Sequence, residues 1–464
     1  MVVGNIKESA DVVVVGAGPG GYVAAIKLAQ MGKDVKLVEE NKVGGVCLND
    51  GCIPSKSLIH VADNFKEIKE LESIDQDLEI DAGALQNWKE EVVNKLTSGV
   101  KMLENRNGVE IIEGRAKLTN EKELHINTEE ASKTLKFNEC VLATGSKPVE
   151  IPGMEFSKEG IISSKEALKL DEIPDELLVI GGGYIGMELG TVYQKLGSDV
   201  TVLEASDRIL SVMNEEASKV VKKRAEELGM KIVTGEKAES SELKDGKRVV
   251  KTNFSSYSAD KVLVSVGRTP RTENIGIEKT GIEKTEGGFI RTDETMETTS
   301  EGIYAIGDVA GHPMLAHKAM HEGRVAAKTI AGETSFATRQ AMPSVLYTDP
   351  EIASTGMSER EAEEKGIETV TGKFPMGANG RAMTMDYKEG FVKLVADKEN
   401  KTLIGATVCS PEASEIISEL SLGIEMGCLV EDLAMTVHPH PSISEAVMEA
   451  AEEIVGEPVH KYKH

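Results

Sequence analysis

Two stretches of this chain are built to one plan. "DVVVVGAGPGGYVAAIKLAQMGKDVKLVEE" and, much later, "ELLVIGGGYIGMELGTVYQKLGSDVTVLEA" each read as an apolar strand, a glycine-rich turn, a helix and a second strand that ends on a carboxylate. In the first, Gly16, Gly18 and Gly21 form GxGxxG, and Glu39 follows Gly16 by 23 positions. In the second, Gly181, Gly183 and Gly186 repeat the pattern, and Glu204 follows Gly181 by the same 23. A matched pair of such units predicts two doubly wound, Rossmann-like α/β domains.

Each residue type has a physical task. The first glycine permits the tight turn, the second lets the backbone approach a pyrophosphate, and the third lets helix pack closely on strand. The phosphates then sit at the positive end of the helix. The acid closing the second strand accepts hydrogen bonds from ribose hydroxyls. At the second unit that acid favours NAD, because Glu204 would repel the additional phosphate of NADP.

Around these units, residues 63–100 read as helical and carry the only tryptophan, Trp88. "FNECVLATGSKP" reads as a buried strand, "ADKVLVSVGRTP" as a strand ending near Gly267, and "EGIYAIGDVAG" as a strand ending on Gly307 and Asp308. "MLAHKAMHEGRVAAKTIAG" follows as a helix with glycine at its end. From about Met342 the pattern turns strand-rich α+β, with helices to the end. At 464 residues the chain is too long for one ordinary core. The expected division is 1–150, 151–270, 271–340 and 341–464.

The formal net charge of −25 argues against nucleic acid and anionic membranes as partners. The amino-terminal segment lacks the long apolar run and cleavage site of a signal peptide, and no stretch of 18 apolar residues occurs. A cytoplasmic setting is expected. Structural disulfides are rare in reducing compartments, so a close cysteine pair there is more often catalytic or metal-binding.

Such a pair occurs in "GGVCLNDGCIPSK", a few residues after Glu39. Cys47 and Cys52 are spaced so that a helix start would set their sulfurs on neighbouring turns, within bridging reach. As a zinc site the motif is poor: Cys140, Cys409 and Cys428 are scattered through apolar segments and supply no second pair. They read as small buried hydrophobes, and no metal is expected. Near the other end, "VHPHPSISEAVMEAAEEI" holds His438, His440 and Glu445. The histidines are metal ligands, residues of an exposed Pro-rich turn, or a base held by Glu445. Dithiol–disulfide exchange needs such a base, because the thiolate is the nucleophile.

With these stretches in view, "GAGPGGYVAA", "GGVCLNDGCIPSK", "GGGYIGMELGTVY", "IGDVAGHPMLAHKA", "ANGRA" and "VHPHPSISEA" together resemble the dihydrolipoamide dehydrogenases of the flavoprotein disulfide reductase family, and the likeness spans essentially the whole chain. The resemblance implies an FAD domain (1–150), an NAD domain (151–270), a central domain completing the FAD site (271–340) and an α+β dimerisation domain (341–464) in a homodimer. Carried over by position, Gly16, Gly18, Gly21, Glu39, Lys56, Ala116 and Asp308 would hold FAD, with the backbone of Met314, Leu315, Ala316 and His317 against the flavin. Gly181, Gly183, Gly186, Glu204 and Gly267 would hold NAD, and Lys56 would pair with Glu188. Cys47 and Cys52 would form the redox-active disulfide, Cys47 meeting the substrate and Cys52 lying against the flavin. His440, held by Glu445, would be the base and come from the partner subunit. The implied reaction is NAD-dependent oxidation of dihydrolipoyl groups carried by other proteins of a 2-oxoacid dehydrogenase or glycine cleavage complex.

Two positions depart from the family pattern. Asp50 stands between the cysteines where valine is usual, and Pro439 stands between the two histidines where a small residue is usual. A carboxylate at 50 raises nearby thiol pKa values if it points inward and does little if it faces solvent. Among rival readings, glutathione-type enzymes use NADP and want basic residues near "VLEAS", after which only Arg208 follows. Mercuric reductases carry a further cysteine pair that "IVGEPVHKYKH" lacks.

Overall fold

Alternating strands and helices give three sheets that carry the architecture in this computed structural model, which describes residues 6–71, 73, 78–129, 131–338 and 340–460. The apolar run Val12–Val15 that ends strand Ile6–Val15 is buried on both faces. It lies centrally in a seven-stranded sheet, parallel to Val35–Glu39 on one side and Ser132–Leu142 on the other. Glu110–Glu113 continues the parallel order outward. Helix α1 (Pro19–Gln30) connects the first two strands.

The seventh strand comes from far along the chain. Ile303–Ala305 pairs parallel with Cys140, Val141 and Leu142, so the turn that carries Asp308 emerges beside the first glycine turn. Segment 271–340 therefore adds a strand to the first sheet, and among the described residues it builds no separate sheet.

Two expectations from the sequence need correction. The helical run expected over 63–100 is two helices, α3 (Cys52–Glu70) and α4 (Ala82–Arg106); residues 72 and 74–77 within it lie outside the described residues. Asp81 caps α4 by accepting from the Ala84 N–H, which starts a new helix rather than continuing the old one. The cysteine motif likewise is not one helix start. Cys47 lies in α2 (Gly45–Asp50) and Cys52 opens α3, with Gly51 in a non-helical conformation (φ −153°, ψ −109°) between them.

The second sheet is parallel throughout, in the order Lys231–Thr234, Asp199–Glu204, Glu176–Ile180, Lys261–Val264, Ile161–Ile162. Helix α5 (Ser164–Ala167) follows its short strand Ile161–Ile162, α6 (Tyr184–Leu196) follows its glycine turn, and α7 (Glu215–Glu227) comes after strand Asp199–Glu204. Helix α8 (Ala316–Ile330) packs on α1. The carboxy-terminal unit is a five-stranded antiparallel sheet, Ser344–Leu346, Glu351–Gly356, Leu403–Ser410, Phe391–Asp397, Thr369–Pro375, with helices Ala413–Met426 and Glu445–Val455 packed on it. The fold is α/β with two Rossmann-like units and an α+β carboxy-terminal unit. Among the described residues no helix is long and apolar enough to cross a membrane.

Candidate active site

The two glycine turns are near-copies. Gly16 and Gly181 have φ of +101° and +105°, and a Cβ there would lie 2.4 Å from the Ala143 carbonyl oxygen and 2.6 Å from that of Ser265. A Cβ at Gly21 would fall 1.8 Å from the Gly16 oxygen, and at Gly186 2.1 Å from the Gly181 oxygen, so these residues let helix close on turn. At Gly18 and Gly183 nothing lies within 4 Å. The middle glycine of each trio alone faces open space, where a pyrophosphate can approach.

The acids repeat the symmetry. Glu39 accepts from the Ala17 N–H at 2.7 Å and the Asn41 N–H at 2.8 Å. Glu204 accepts from the Gly182 and Ser206 N–H groups, both at 2.7 Å. Burial pushes the Glu39 carboxyl up, against the pull of its two N–H donors. Arg208 spends its guanidinium on the Leu210, Ser211 and Met213 carbonyls and the Ser218 hydroxyl, so it does not stand free beside Glu204 for a 2′-phosphate.

A cavity of about 1000 Å³ opens between the first unit and α6. Of the residues expected at FAD, Gly16, Gly18, Glu39, Lys56, Ala116, Asp308, Met314 and Ala316 line it. Gly21 lies beneath the turn, Leu315 caps α8, and the His317 imidazole bonds the Pro343 carbonyl at 2.7 Å; these three do not line it. Gly181, Gly183, Gly186, Glu204 and Gly267 lie around the second sheet, off this cavity, whereas Tyr184 and Glu188 of α6 reach into it.

Cys47 and Cys52 share this wall, with their side chains close enough to act on each other. That contact and then burial drive the Cys47 thiol up, while the same contact, assisted by Lys56, brings Cys52 down. Cys52 also heads a 19-residue helix, whose positive end favours a thiolate. Lys56 and the helix start both favour the charge on Cys52. By contrast burial pushes the Cys140 and Cys409 thiols up to about 12, as suits inert core positions.

Lys56 lies one turn after Cys52. Its ammonium is 2.8 Å from Glu188 Oε2 and 4.3 Å from the centre of the Tyr347 ring, and Glu188 Oε1 accepts the Tyr347 N–H at 2.9 Å. Asp50 is matched by cations of the second unit, with Lys169 at 2.5 Å and Lys165 at 3.8 Å. The departure from valine is therefore charge-compensated.

Asp308 receives the Ser146 hydroxyl at 2.5 Å, and Ser146 in turn receives Arg268 Nε at 2.7 Å. Behind the turn, fully buried Glu322 accepts the Gly307 N–H at 2.8 Å and meets buried Lys318 at 3.0 Å. Sequence reading missed Ser146, Arg268, Lys318, Glu322, Tyr184 and Tyr347. The Lys318–Glu322 spacing reads as an ordinary surface i,i+4 pair, and nothing local marks it as buried.

His440 and Glu445 stand apart from the cavity. The imidazole Nδ1 lies 2.8 Å from Glu445 Oε1, and Glu445 Oε2 accepts the Ser442 N–H at 2.8 Å. The His440 side chain is 79% exposed. Burial raises the Glu445 carboxyl, but the Ser442 N–H and His440 outweigh it and leave it below its ordinary range. His438 is engaged elsewhere, with Glu419 at 3.0 Å. The fold thus gathers thiols, Lys56 and Glu188 at the cavity, whereas the imidazole is exposed and does not line it.

Comparison with known proteins gives a consistent picture. The family described as pyridine nucleotide-disulphide oxidoreductase matches residues 10–323, and its dimerisation domain matches residues 342–451. A dihydrolipoyl dehydrogenase of Haloarcula marismortui is 46% identical over 99% of this chain and 100% of its own length. One from Bacillus subtilis is 43% identical with complete coverage of both. Among solved structures, LpdA from Mycobacterium tuberculosis superposes with a TM-score of 0.90 at 26% identity, covering 96% of this chain and 99% of its own. The HOCl-induced flavoprotein disulfide reductase RclA of Escherichia coli gives 0.87 at 26% identity, covering 95% of this chain and 99% of its own.

Proposed function

From the premise that this chain belongs to the pyridine nucleotide-disulphide oxidoreductase family, we propose that it is a dihydrolipoyl dehydrogenase, oxidising protein-bound dihydrolipoyl groups with NAD+ through FAD and a redox-active disulfide. The observation that carries this reading is the contact of Cys47 and Cys52 on the wall of the cavity that Gly16, Gly18 and Glu39 also line. A non-catalytic redox sensor or binding subunit would be expected to lose the cysteine pair or the base, and this chain keeps Cys47, Cys52 and His440.

The first unit fits FAD: the backbone at Gly18 is open, the Glu39 carboxylate stands at the strand end, and the cavity extends to Asp308 and α8. Gly16, Gly18, Glu39, Lys56, Ala116, Asp308 and the stretch Met314 to His317 would hold it, with Gly21 supporting the turn. Gly183 and Glu204, on the turn framed by Gly181, Gly186 and Gly267, would hold NAD. Residues 1–150, 151–270, 271–340 and 341–464 serve in this reading as FAD, NAD, central and interface segments.

In the oxidised enzyme Cys47 and Cys52 form a disulfide. A substrate thiolate attacks Cys47 Sγ, the S–S bond breaks, and Cys52 leaves as the thiolate that its helix and Lys56 stabilise. The second substrate sulfur displaces Cys47, closing the lipoyl ring and leaving the enzyme as dithiol. His440, its Nδ1–H donating to Glu445, accepts the substrate's proton at Nε2. FAD held by the first unit would relay the electron pair of the Cys47–Cys52 dithiol to NAD+ held by the second, giving back the disulfide with NADH and a proton. By resemblance to the family the base serves the partner subunit's active site, and the exposed position of His440, off the cavity that Cys47 and Cys52 line, supports that reading. The dimerisation domain supports a homodimer, and the substrate arm comes from lipoyl-bearing proteins of 2-oxoacid dehydrogenase or glycine cleavage complexes.

The test is an anaerobic titration of purified protein with dihydrolipoamide, followed by NAD+. Appearance of long-wavelength thiolate–flavin absorbance, discharged by NAD+ with NADH formed, is expected. A flavin spectrum unmoved by dihydrolipoamide but changed by glutathione, a monothiol, or by a different dithiol would overturn the substrate assignment.

A further inference from the structure

The two helices that meet beside the thiols are clasped twice, with the charges exchanged. Lys56 of α3 faces Glu188 of α6 at 2.8 Å; seven residues further along each helix, Asp63 of α3 faces Lys195 of α6 at 2.7 Å. The equal offset means that α3 and α6 run parallel and in register, with the clasps about 10 Å apart along the axes. A third segment closes both: Tyr347 gives its N–H to Glu188, and two residues on Asp349 meets Lys195 at 2.6 Å. The distal clasp is deeply set, the Lys195 and Asp349 side chains being 4% and 5% exposed. Asp349 is further held by Arg224 Nε of α7 at 3.4 Å and the Tyr387 hydroxyl at 2.9 Å.

Burying a lysine between two carboxylates is costly unless its geometry is good, and in some proteins a buried polar group of this kind fixes register rather than adding stability. α3 begins at Cys52. A shift of α3 along α6 by a fraction of a turn moves Cys52 and Lys56 together, and the proximal pair alone, with Lys56 partly exposed, is the looser of the two. We propose that Lys195 is a positioning residue of the redox centre: by bridging Asp63 and Asp349 it fixes the register of α3 on α6, and so the placement of Cys52 and the Lys56–Glu188 pair. The inference draws on the proposed dehydrogenase reading only for what Cys52 and Lys56 do.

The experiment uses the FAD-loaded full-length enzyme reduced anaerobically with dithiothreitol, so its readout does not depend on lipoamide being the substrate. Lys195→Met leaves Asp349 with Arg224 and Tyr387, and Asp63→Asn removes only the outer, half-exposed arm. Both variants are expected to weaken the long-wavelength thiolate–flavin absorbance and to slow alkylation of the reduced thiols near neutral pH. They should lower kcat about tenfold with KM values nearly unchanged, the signature of misplacement rather than lost binding. Lys195→Arg should restore all three. If Lys195→Met does not retain FAD, Asp63→Asn decides. Wild-type absorbance and kcat in Asp63→Asn, or in a folded Lys195→Met, would overturn the proposal. A wild-type enzyme inert toward dihydrolipoamide, yet showing absorbance that depends on Lys195, would sink the substrate assignment and leave this inference standing.

Discussion

Lys56 Nζ sits 2.8 Å from Glu188 Oε2, a contact between the helix that begins at Cys52 and the helix that follows the second glycine turn. It puts a cation one turn from the thiolate and anchors that cation to the neighbouring unit. Lys56 lowers the Cys52 thiol, after the larger effect of the Cys47 contact, whereas Glu188 opposes it. Lys56→Met should therefore move the pH midpoint for thiolate formation in the reduced enzyme upward by roughly one unit. Absorbance of the reduced enzyme followed from pH 5 to 9 checks this, and an unmoved midpoint would remove Lys56 from the account.

The glycine geometry separates binding from folding. Gly183 has ordinary extended φ and ψ (−75°, −178°) with open space around it, so Gly183→Val should fold with near-normal Tm and lose NAD affinity at least tenfold. Gly186→Val drives a side chain into the Gly181 carbonyl and should instead lower Tm and soluble yield. Thermal melts alongside KM for NAD distinguish the two. Equal loss of Tm in both variants would contradict the assignment.

Intersubunit catalysis gives a complementation test. Neither Cys47→Ser nor His440→Gln homodimers should turn over dihydrolipoamide, although both should retain FAD. In a mixed dimer one site combines intact thiols from one chain with an intact imidazole from the other. Random co-assembly should recover roughly a quarter of wild-type activity from the two-fold symmetry of such a dimer. No recovery in a verified heterodimer would place the base on the same chain as its thiols.

Glu104, fully buried on α4, has neither carboxylate oxygen hydrogen-bonded. Burial, the largest influence, lifts it to about 7 against the ordinary 4.5, Lys101 opposing and Glu39 reinforcing. The folded-state value is raised for an acid, so the folded form is penalised once pH passes the ordinary value, and the penalty grows until about pH 7. Glu104→Gln should accordingly raise Tm by a few degrees at pH 8 and change little at pH 4. A pH-independent effect of the substitution would show that Glu104 is not titrating across this window.

The carbonyl clashes at Gly16 and Gly181 and the backbone donors to Glu39 and Glu204 show why the glycine units were legible in the sequence. Such turns are local: a few consecutive residues must satisfy φ, close approach and capping together, so the requirement is written in adjacent letters. The pairing of His440 with Glu445 was readable for the same reason, as a turn of five residues. The run over 63–100 reads as one helical segment because helical periodicity persists across the break between α3 and α4. One continuous helix start was likewise read across Gly51, because a break there leaves the spacing of Cys47 and Cys52 unchanged.

What the sequence by itself determined was the local chemistry: two dinucleotide turns with their acids, a close cysteine pair, and an imidazole with its carboxylate. What only the tertiary structure decided was which distant groups share a site. Strand Ile303–Ala305 crosses back to bring Asp308 beside the first turn, Lys169 neutralises Asp50 from another unit, and Lys195 gathers Asp63 and Asp349 from segments 286 residues apart. Contacts of that kind arise when apolar faces pack and carry charged side chains into proximity. Packing depends on the whole chain at once, and no window of adjacent residues records it.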